Sequence, residues 1–371
     1  MQKILLFIAS LFYFNSLFAK DEIKSWQGIH ETPLSRLEQQ FADPPVEFAN
    51  HVIWGWEGKM DKKTICNDLD SIKKKGFRAI IFEAGYKRPF KYLSEEWFKA
   101  IRTGVLEAKK RGMKVWIIDE GKYPSGFAGG KFSQERPDLR MQALVIGDTI
   151  QIKRGEVMTN HKIAPEIISA VAVSTSGAPN RTVAINNGEI SFNAGLDDWK
   201  ILLVKSDFRT AVTRAVNNPN GGKDATNSLC DYLNPVAVQQ FIDWTHEQYK
   251  KYLGKELGTT VLGFRGDEPD YAHLPWTPSI VQTFKDTKGY DPTPYLASFF
   301  PASPTIQEQR VKADYWDVWS SLFATHFFKL QADWCAANGV AHITHLNKEH
   351  EMPACVKAEG DYFRNLIKVQ I

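Results

Sequence analysis

The chain has 371 residues, 43% of them hydrophobic and 24% charged, with a formal net charge of +3. That content supports a sizeable core, in one large domain or two to three smaller ones, and excludes wholesale disorder. A charge so near neutral supplies no basic field for phosphates, which excludes nucleic acid as the main partner.

Lys3, the apolar run Ile4 to Phe18 and the small Ala19 ahead of Lys20-Asp21-Glu22 have the pattern of a signal peptide cut after Ala19. Leu17 fits the −3 position imperfectly, and an uncut N-terminal anchor is the alternative, although the run is short for a membrane span. Residues 1–19 are therefore expected to be a leader, with a secreted or periplasmic mature protein and no membrane contact after cleavage. Cys66, Cys230, Cys335 and Cys355 are widely spaced with no Cys-x-x-Cys, which argues against a zinc site. Cys66 and Cys335 fall inside helical patterns and read as buried apolar residues.

From about residue 49, short apolar runs alternate with amphipathic helices. His51–Trp56 reads as a first strand. Asp61–Lys75 reads as a helix with Ile65, Leu69 and Ile72 on one face, closed by Gly76. Phe77–Glu83 is the second predicted strand. Ser94 caps a helix that starts with Glu95 and Glu96 and runs to Arg111. Met113–Ile118 is the third strand.

The texture then changes. Residues 141–214 read as short β segments, with strands at Ser169–Thr175 and Trp199–Val204 and a hairpin at Thr182–Phe192 turning on Asn187-Gly188. Asn234-Pro235 opens a new helix with Val238, Phe241, Thr245, Tyr249 and Tyr252 as its stripe. Thr260–Phe264 is the fourth strand and leads into Arg265-Gly266-Asp267-Glu268-Pro269. Helices follow at Ser279–Thr287 and Gln307–Asn338, then a fifth strand at Val340–His345. Strands separated by helices predict a parallel sheet. The expected fold is α/β, a (β/α) TIM-type barrel with about five of its eight repeats and a β-rich insertion after the third strand. The expected domains are 20–140 (first part of the barrel), 141–214 (insertion) and 215–371 (continuation). An open sheet, complete as it stands, is the rival. No Gly-x-Gly-x-x-Gly follows the first strand, which disfavours its dinucleotide-binding version.

Functional groups of parallel barrels lie at the carboxyl ends of the strands. Those ends carry Trp54, Trp56 and Glu57; Glu83; Asp119 and Glu120, with Tyr123 following; Asp267 and Glu268; and His345, with Glu349 following. A rim of carboxylates and aromatic rings suits glycosidic cleavage, which needs one protonated and one ionised carboxyl on opposite sides of the scissile bond. Glu268 is the candidate general acid, since the adjacent Asp267 should raise its pKa. Asp267, His345, Asp119, Glu120, Glu83, Trp54, Trp56 and Tyr123 are the candidate substrate-binding residues. Each has a plainer alternative. Glu83 could pair with Lys87 or Arg88, Asp119 and Glu120 with Lys114 or Lys122, and the two tryptophans could fill a core. In a strand His342 and His345 point to opposite faces, and His345, nearer the strand end, is the site candidate.

The segments FADPPVEF (41–48), YLSEEWF (92–98), DEGKYPSGFAGG (119–130), GFRGDEPDY (263–271), Gly289-Tyr290-Asp291, Tyr315-Trp316-Asp317 and Ala332-Asp333-Trp334-Cys335, in that order, resemble the catalytic domain of glycoside hydrolase family 106. The resemblance covers most of residues 41–365. It implies an exported, α-L-rhamnosidase-like hydrolase of plant polysaccharides, a (β/α) barrel, inversion, a carbohydrate substrate and a calcium ion whose ligands stay unnamed. It marks Glu268 as a catalytic carboxylate and Glu349 as its candidate partner, the residue that activates water. Members of that family extend well past the position of Ile371, and the chain is therefore expected to be C-terminally truncated. A truncated, inactive remnant that at most binds glycan is the second expectation. A polysaccharide lyase would use an Arg, Tyr or Lys base, and the carboxylate rim argues against it.

Overall fold

The computed structural model describes residues 33–43, 50–85, 87–121, 124–210, 228–271 and 274–369. The expected leader at 1–19 lies outside them. The chain divides into two compact units, Met1–Ala49 and Asn50–Ile371. The first unit contributes one described helix, α1 (Leu34–Ala42), with Leu34, Leu37 and Phe41 exposed.

The second unit is built on a parallel sheet of β1 (His51–Trp56), β2 (Ala79–Ala84), β3 (Lys114–Ile118), β11 (Val261–Asp267) and β13 (Ala341–His345), side by side in that order. Helix α2 (Lys62–Lys74) begins where the Asp61 carboxylate accepts the Thr64 amide hydrogen at 2.8 Å, and it buries Ile65 and Leu69. Helix α3 (Glu95–Lys110) is capped by Ser94, carries Glu95 and Glu96 at its positive end and Lys109 and Lys110 at its negative end, and buries Trp97, Ile101, Val105 and Ala108. Fully burying each of the large ones contributes about 1.5–3 kcal/mol. A Cβ at Gly104 would meet the Phe82 ring at 2.7 Å, so glycine lets α3 lie close on the sheet.

The chain between β3 and β11 carries short α4 (Lys131–Glu135) and then β4 (Gln142–Ile152), β5 (Val157–Lys162), β6 (Ile167–Ser174), β7 (Arg181–Val183), β8 (Ile185–Asn186), β9 (Glu189–Asn193) and β10 (Trp199–Phe208). They form two antiparallel sheets, ordered β12-β4-β10-β6-β7 and β5-β9-β8, where β12 is Pro275–Trp276. Asn187 and Gly188, with φ of 50° and 75°, make the predicted tight turn between β8 and β9. The mixed α/β architecture with its parallel sheet agrees with the sequence expectation. Among the described residues that sheet has five strands.

Several elements differ from the sequence reading. The predicted helix from Pro235 is two helices, α5 (Pro235–Trp244) and α6 (His246–Leu253), because Thr245 leaves the helical region with φ −113° and ψ −82°. The helix predicted at Ser279–Thr287 is α7 (Ile280–Lys288). The one predicted at Gln307–Asn338 is α8 (Ile306–Phe323) and α9 (Lys329–Ala337), joined through a wider π turn at Ala324–Phe328. Strand β11 runs three residues beyond the predicted Phe264, since β13 pairs with it through Asp267. Two short helices that the sequence did not suggest follow β13: α10 (Met352–Glu359) and α11 (Tyr362–Leu366).

Candidate active site

Side chains alternate across a strand, and Phe264 packs with Tyr249 in the core between the sheet and its helices. Arg265 and Asp267 therefore share the opposite face of β11. The register Asp267↔His345 places His345 beside Asp267 on β13. The chain turns at Glu268, whose φ of 45° is left-handed for a residue with a Cβ, and its amide donates to the His345 carbonyl at 2.8 Å. Left-handed backbone of this kind recurs where function dictates a side chain's direction.

The His345 ring is the centre of the cluster. Its Nδ1 lies 3.3 Å from Asp267 Oδ1 and 3.5 Å from Glu268 Oε1, and its Nε2 lies 3.4 Å from Glu349 Oε1. Arg265 Nη1 reaches the same Asp267 oxygen at 3.0 Å. Partial burial, and then the charges of Asp267 and Glu349, push the Glu268 carboxyl above the usual range, against a downward pull from His345. Glu349 is shifted down, by its own backbone amide first and then by His345. Glu268 is 28% exposed and Glu349 42%, so both carboxylates reach solvent.

Behind this cluster, the Ser125 amide donates to the Asp267 carbonyl at 2.9 Å. The Ser125 hydroxyl accepts the Asp267 amide hydrogen at 2.8 Å and donates to Asp119 Oδ1 at 2.6 Å. Asp119 is fully buried beneath Gly266, where burial raises its pKa and Oδ2 has no hydrogen-bond partner among the described residues. Glu120 is also buried. It accepts the amides of Gly121, Ala128 and Gly129 at 2.7, 2.6 and 3.0 Å, which draw residues 128 and 129 back to the end of β3. Burial raises its pKa to about 7 against those amides. Both acids thus lie under the rim and not on its surface, because the loop after β3 doubles back over them.

On the other side, the Asn347 amide donates to the Glu359 carboxylate, and Asn347 Nδ2 donates to Asp270 Oδ2 at 3.3 Å. Burial raises the pKa of both acids. The sequence reading missed Asp270, Glu359 and Ser125 and noted Arg265 only as a neighbour of the motif. Asp270 and Arg265 flank that motif within three residues of Glu268, which is the signal that could have found them. Glu359 carried none, because it sits on a helix with no marked apolar stripe.

Trp54 and Trp56 share the helix-facing side of β1. Trp56, 3% exposed, packs edge-on against Phe82 and Trp97 with centroids 4.6 and 6.0 Å apart, and half-buried Trp54 abuts it at 5.1 Å. These rings fill the core between sheet and helices. Glu83 lies on the sheet face that carries Asp267, two strands away, or roughly 10 Å across the sheet. Tyr123 lies outside the described residues. Among the described residues no group of three or more His, Cys, Asp or Glu is arranged to hold a metal ion. The four cysteines are free thiols, Cys66 half-buried and the others buried. Among the described residues no helix is long and apolar enough to cross a membrane.

The fold is similar to that of a rhamnosidase from Novosphingobium sp. PP1Y, with a TM-score of 0.64 and 15% identity over 90% of this chain and 48% of that one. A Formosa agariphila protein named as a candidate β-glucuronidase is 23% identical over 363 residues, 83% of this chain and 30% of the relative. The chain thus spans less than half the length of either. The profile of the family described as alpha-L-rhamnosidase matches residues 157–361, more than half of the chain, and the chain belongs to that family, glycoside hydrolase family 106.

Proposed function

We propose that this chain carries the catalytic carboxylates of an exported, α-L-rhamnosidase-like hydrolase acting on plant-type polysaccharides, on a sheet that forms part of a (β/α) barrel wall. The observation that carries the reading is the His345 ring standing between two carboxylates whose pKa values are shifted in opposite directions. The upward shift of Glu268 favours the protonated form that a leaving oxygen needs. Glu349, pushed down, stays ionised and takes a proton from water. Contacts of 3.5 and 3.4 Å laid end to end across the ring bound their separation at roughly 9 Å. Inverting enzymes keep their carboxyl groups roughly 6.5–9.5 Å apart to admit a water, and retaining enzymes about 5–5.5 Å. Asp267, held by Arg265 and His345, supports the acid from behind and faces the sugar.

The test is hydrolysis of α-L-rhamnosides, with β-glucuronides alongside. Glu268→Gln is expected to lower kcat on substrates with alkoxide leaving groups by about 10²–10⁴-fold and on activated aryl glycosides by less, because these leave without protonation. Glu349→Gln is expected to lower both. The first sugar released should carry the inverted anomeric configuration by NMR. A retained product, or unchanged hydrolysis by Glu268→Gln, would refute the assignment.

A further inference from the structure

A cavity of about 1010 Å³ opens beside this cluster, between α8 and α10, and its lining includes Asp270 and Lys348, immediate neighbours of the Glu268 turn and of Glu349. Its walls are mainly apolar, with Trp316, Phe299 and Met352 among them, yet Lys312, Lys348 and Lys357 line it against one carboxylate, Asp270. That volume is at the upper end of small-ligand sites. Lys312 Nζ sits 5.5 Å from the Trp316 ring and donates to the Phe299 carbonyl at 3.2 Å. None of the three lysines has a carboxylate within ion-pair distance among the described residues. A partly buried ammonium facing others of its own sign gains most from an incoming anion, and burial and Lys357 together hold Lys312 below the usual lysine range. Burial pushes the Asp270 carboxyl up, and Arg209 and Lys348, which pull it down, offset its charge.

We propose that this cavity is a binding subsite for an anionic saccharide residue next to the bond that is cut, its carboxylate or sulfate ester met by Lys312, Lys348 and Lys357 and its apolar ring face laid against Trp316. The assignment rests on the hydrolase reading for its neighbouring site. It adds to that reading the charge of the adjoining sugar.

The test is calorimetric titration of the full chain carrying Glu268→Gln. Three probes are used: a rhamnosyl-uronate disaccharide, its carboxyl-reduced counterpart, and that reduced disaccharide carrying one sulfate ester. At least one anionic probe should bind about 10-fold or more tightly than the neutral one at low ionic strength, with an advantage that shrinks as salt rises. Which arm gains names the anion as carboxylate or sulfate. Lys312→Gln and Lys357→Gln should each erase most of the gain, and Lys312→Arg should keep it. Both side chains reach the cavity from the surface of their helices, and thermal unfolding verifies that the variants fold. Equal affinities for the three probes, no measurable binding of the anionic ones, or gains that survive both glutamine variants overturn the proposal. The readout is binding and needs no turnover, so it separates from the hydrolase reading, which fails on its own if Glu268→Gln still cleaves.

Discussion

Ser125 and Asp267 are joined by two backbone-directed hydrogen bonds: the Ser125 amide donates to the Asp267 carbonyl at 2.9 Å, and the Asp267 amide donates to the Ser125 hydroxyl at 2.8 Å. The loop after β3 is thereby fastened to the end of β11, and the turn at Glu268 starts from a fixed residue. Ser125→Ala strands the Asp267 amide and an oxygen of buried Asp119. A loss of about 1–3 kcal/mol in unfolding free energy is expected by urea titration. A several-fold fall in kcat should accompany it, with a smaller change in KM. An unchanged urea midpoint would show that the hydroxyl does not hold the turn.

The pH profile of hydrolysis should be bell-shaped. Activity is lost as pH rises through the raised pKa of Glu268, which must be protonated, and as pH falls through the lowered pKa of Glu349, which must be ionised. His345 lowers both carboxyls. His345→Gln is therefore expected to move both limbs of the kcat/KM profile to higher pH. Limbs that stay in place would remove His345 from the coupling.

Stability should fall with rising pH. Burial holds Glu120 and Asp231 at about 7, above their ordinary values. A carboxyl raised in the folded state stabilises it fully below the unfolded-state pKa, and that contribution is lost as pH rises through the folded value. Between about pH 4 and 7 these two groups therefore weaken the fold. Asp231→Asn should flatten the dependence while keeping an acceptor for the Leu233 amide. Urea midpoints at acid, neutral and mildly alkaline pH check the slope, and a midpoint that climbs across that range contradicts it.

Gly104→Ala sets two effects against each other. Alanine in a helix interior gains about 1 kcal/mol over glycine. Here its Cβ would lie 2.7 Å from the Phe82 ring and 3.0 Å from Trp56, two buried side chains with no room to withdraw. Overpacking of that kind costs about 1–3 kcal/mol, so net destabilisation is expected, read as a lower melting temperature.

The alternation of strand and helix was legible because Ile65, Leu69, Trp97, Ile101 and Val105 recur at helical spacing and because Asp61 and Ser94 announce their helices. The motif at Gly266 and the placement of His342 and His345 on opposite faces followed from local rules. What local rules could not supply was depth. Asp119 and Glu120 look like rim acids in the sequence, but a segment that returns at Ala128 and Gly129 covers Glu120. Trp54 and Trp56 sit at a strand end as a sugar platform would, and only the packing of Phe82 and Trp97 reveals which face they take. Glu359 is brought to Asn347 by a turn of chain that no periodicity encodes.

The imidazole between Glu268 and Glu349 also acts as a spacer. The His345 carbonyl is bound to the Glu268 amide while its ring touches both acids, so the backbone and the side chain of one residue tie together the proposed proton donor and proton acceptor. A change in the width of the side chain at this one position would alter their separation directly, and with it the room for the attacking water.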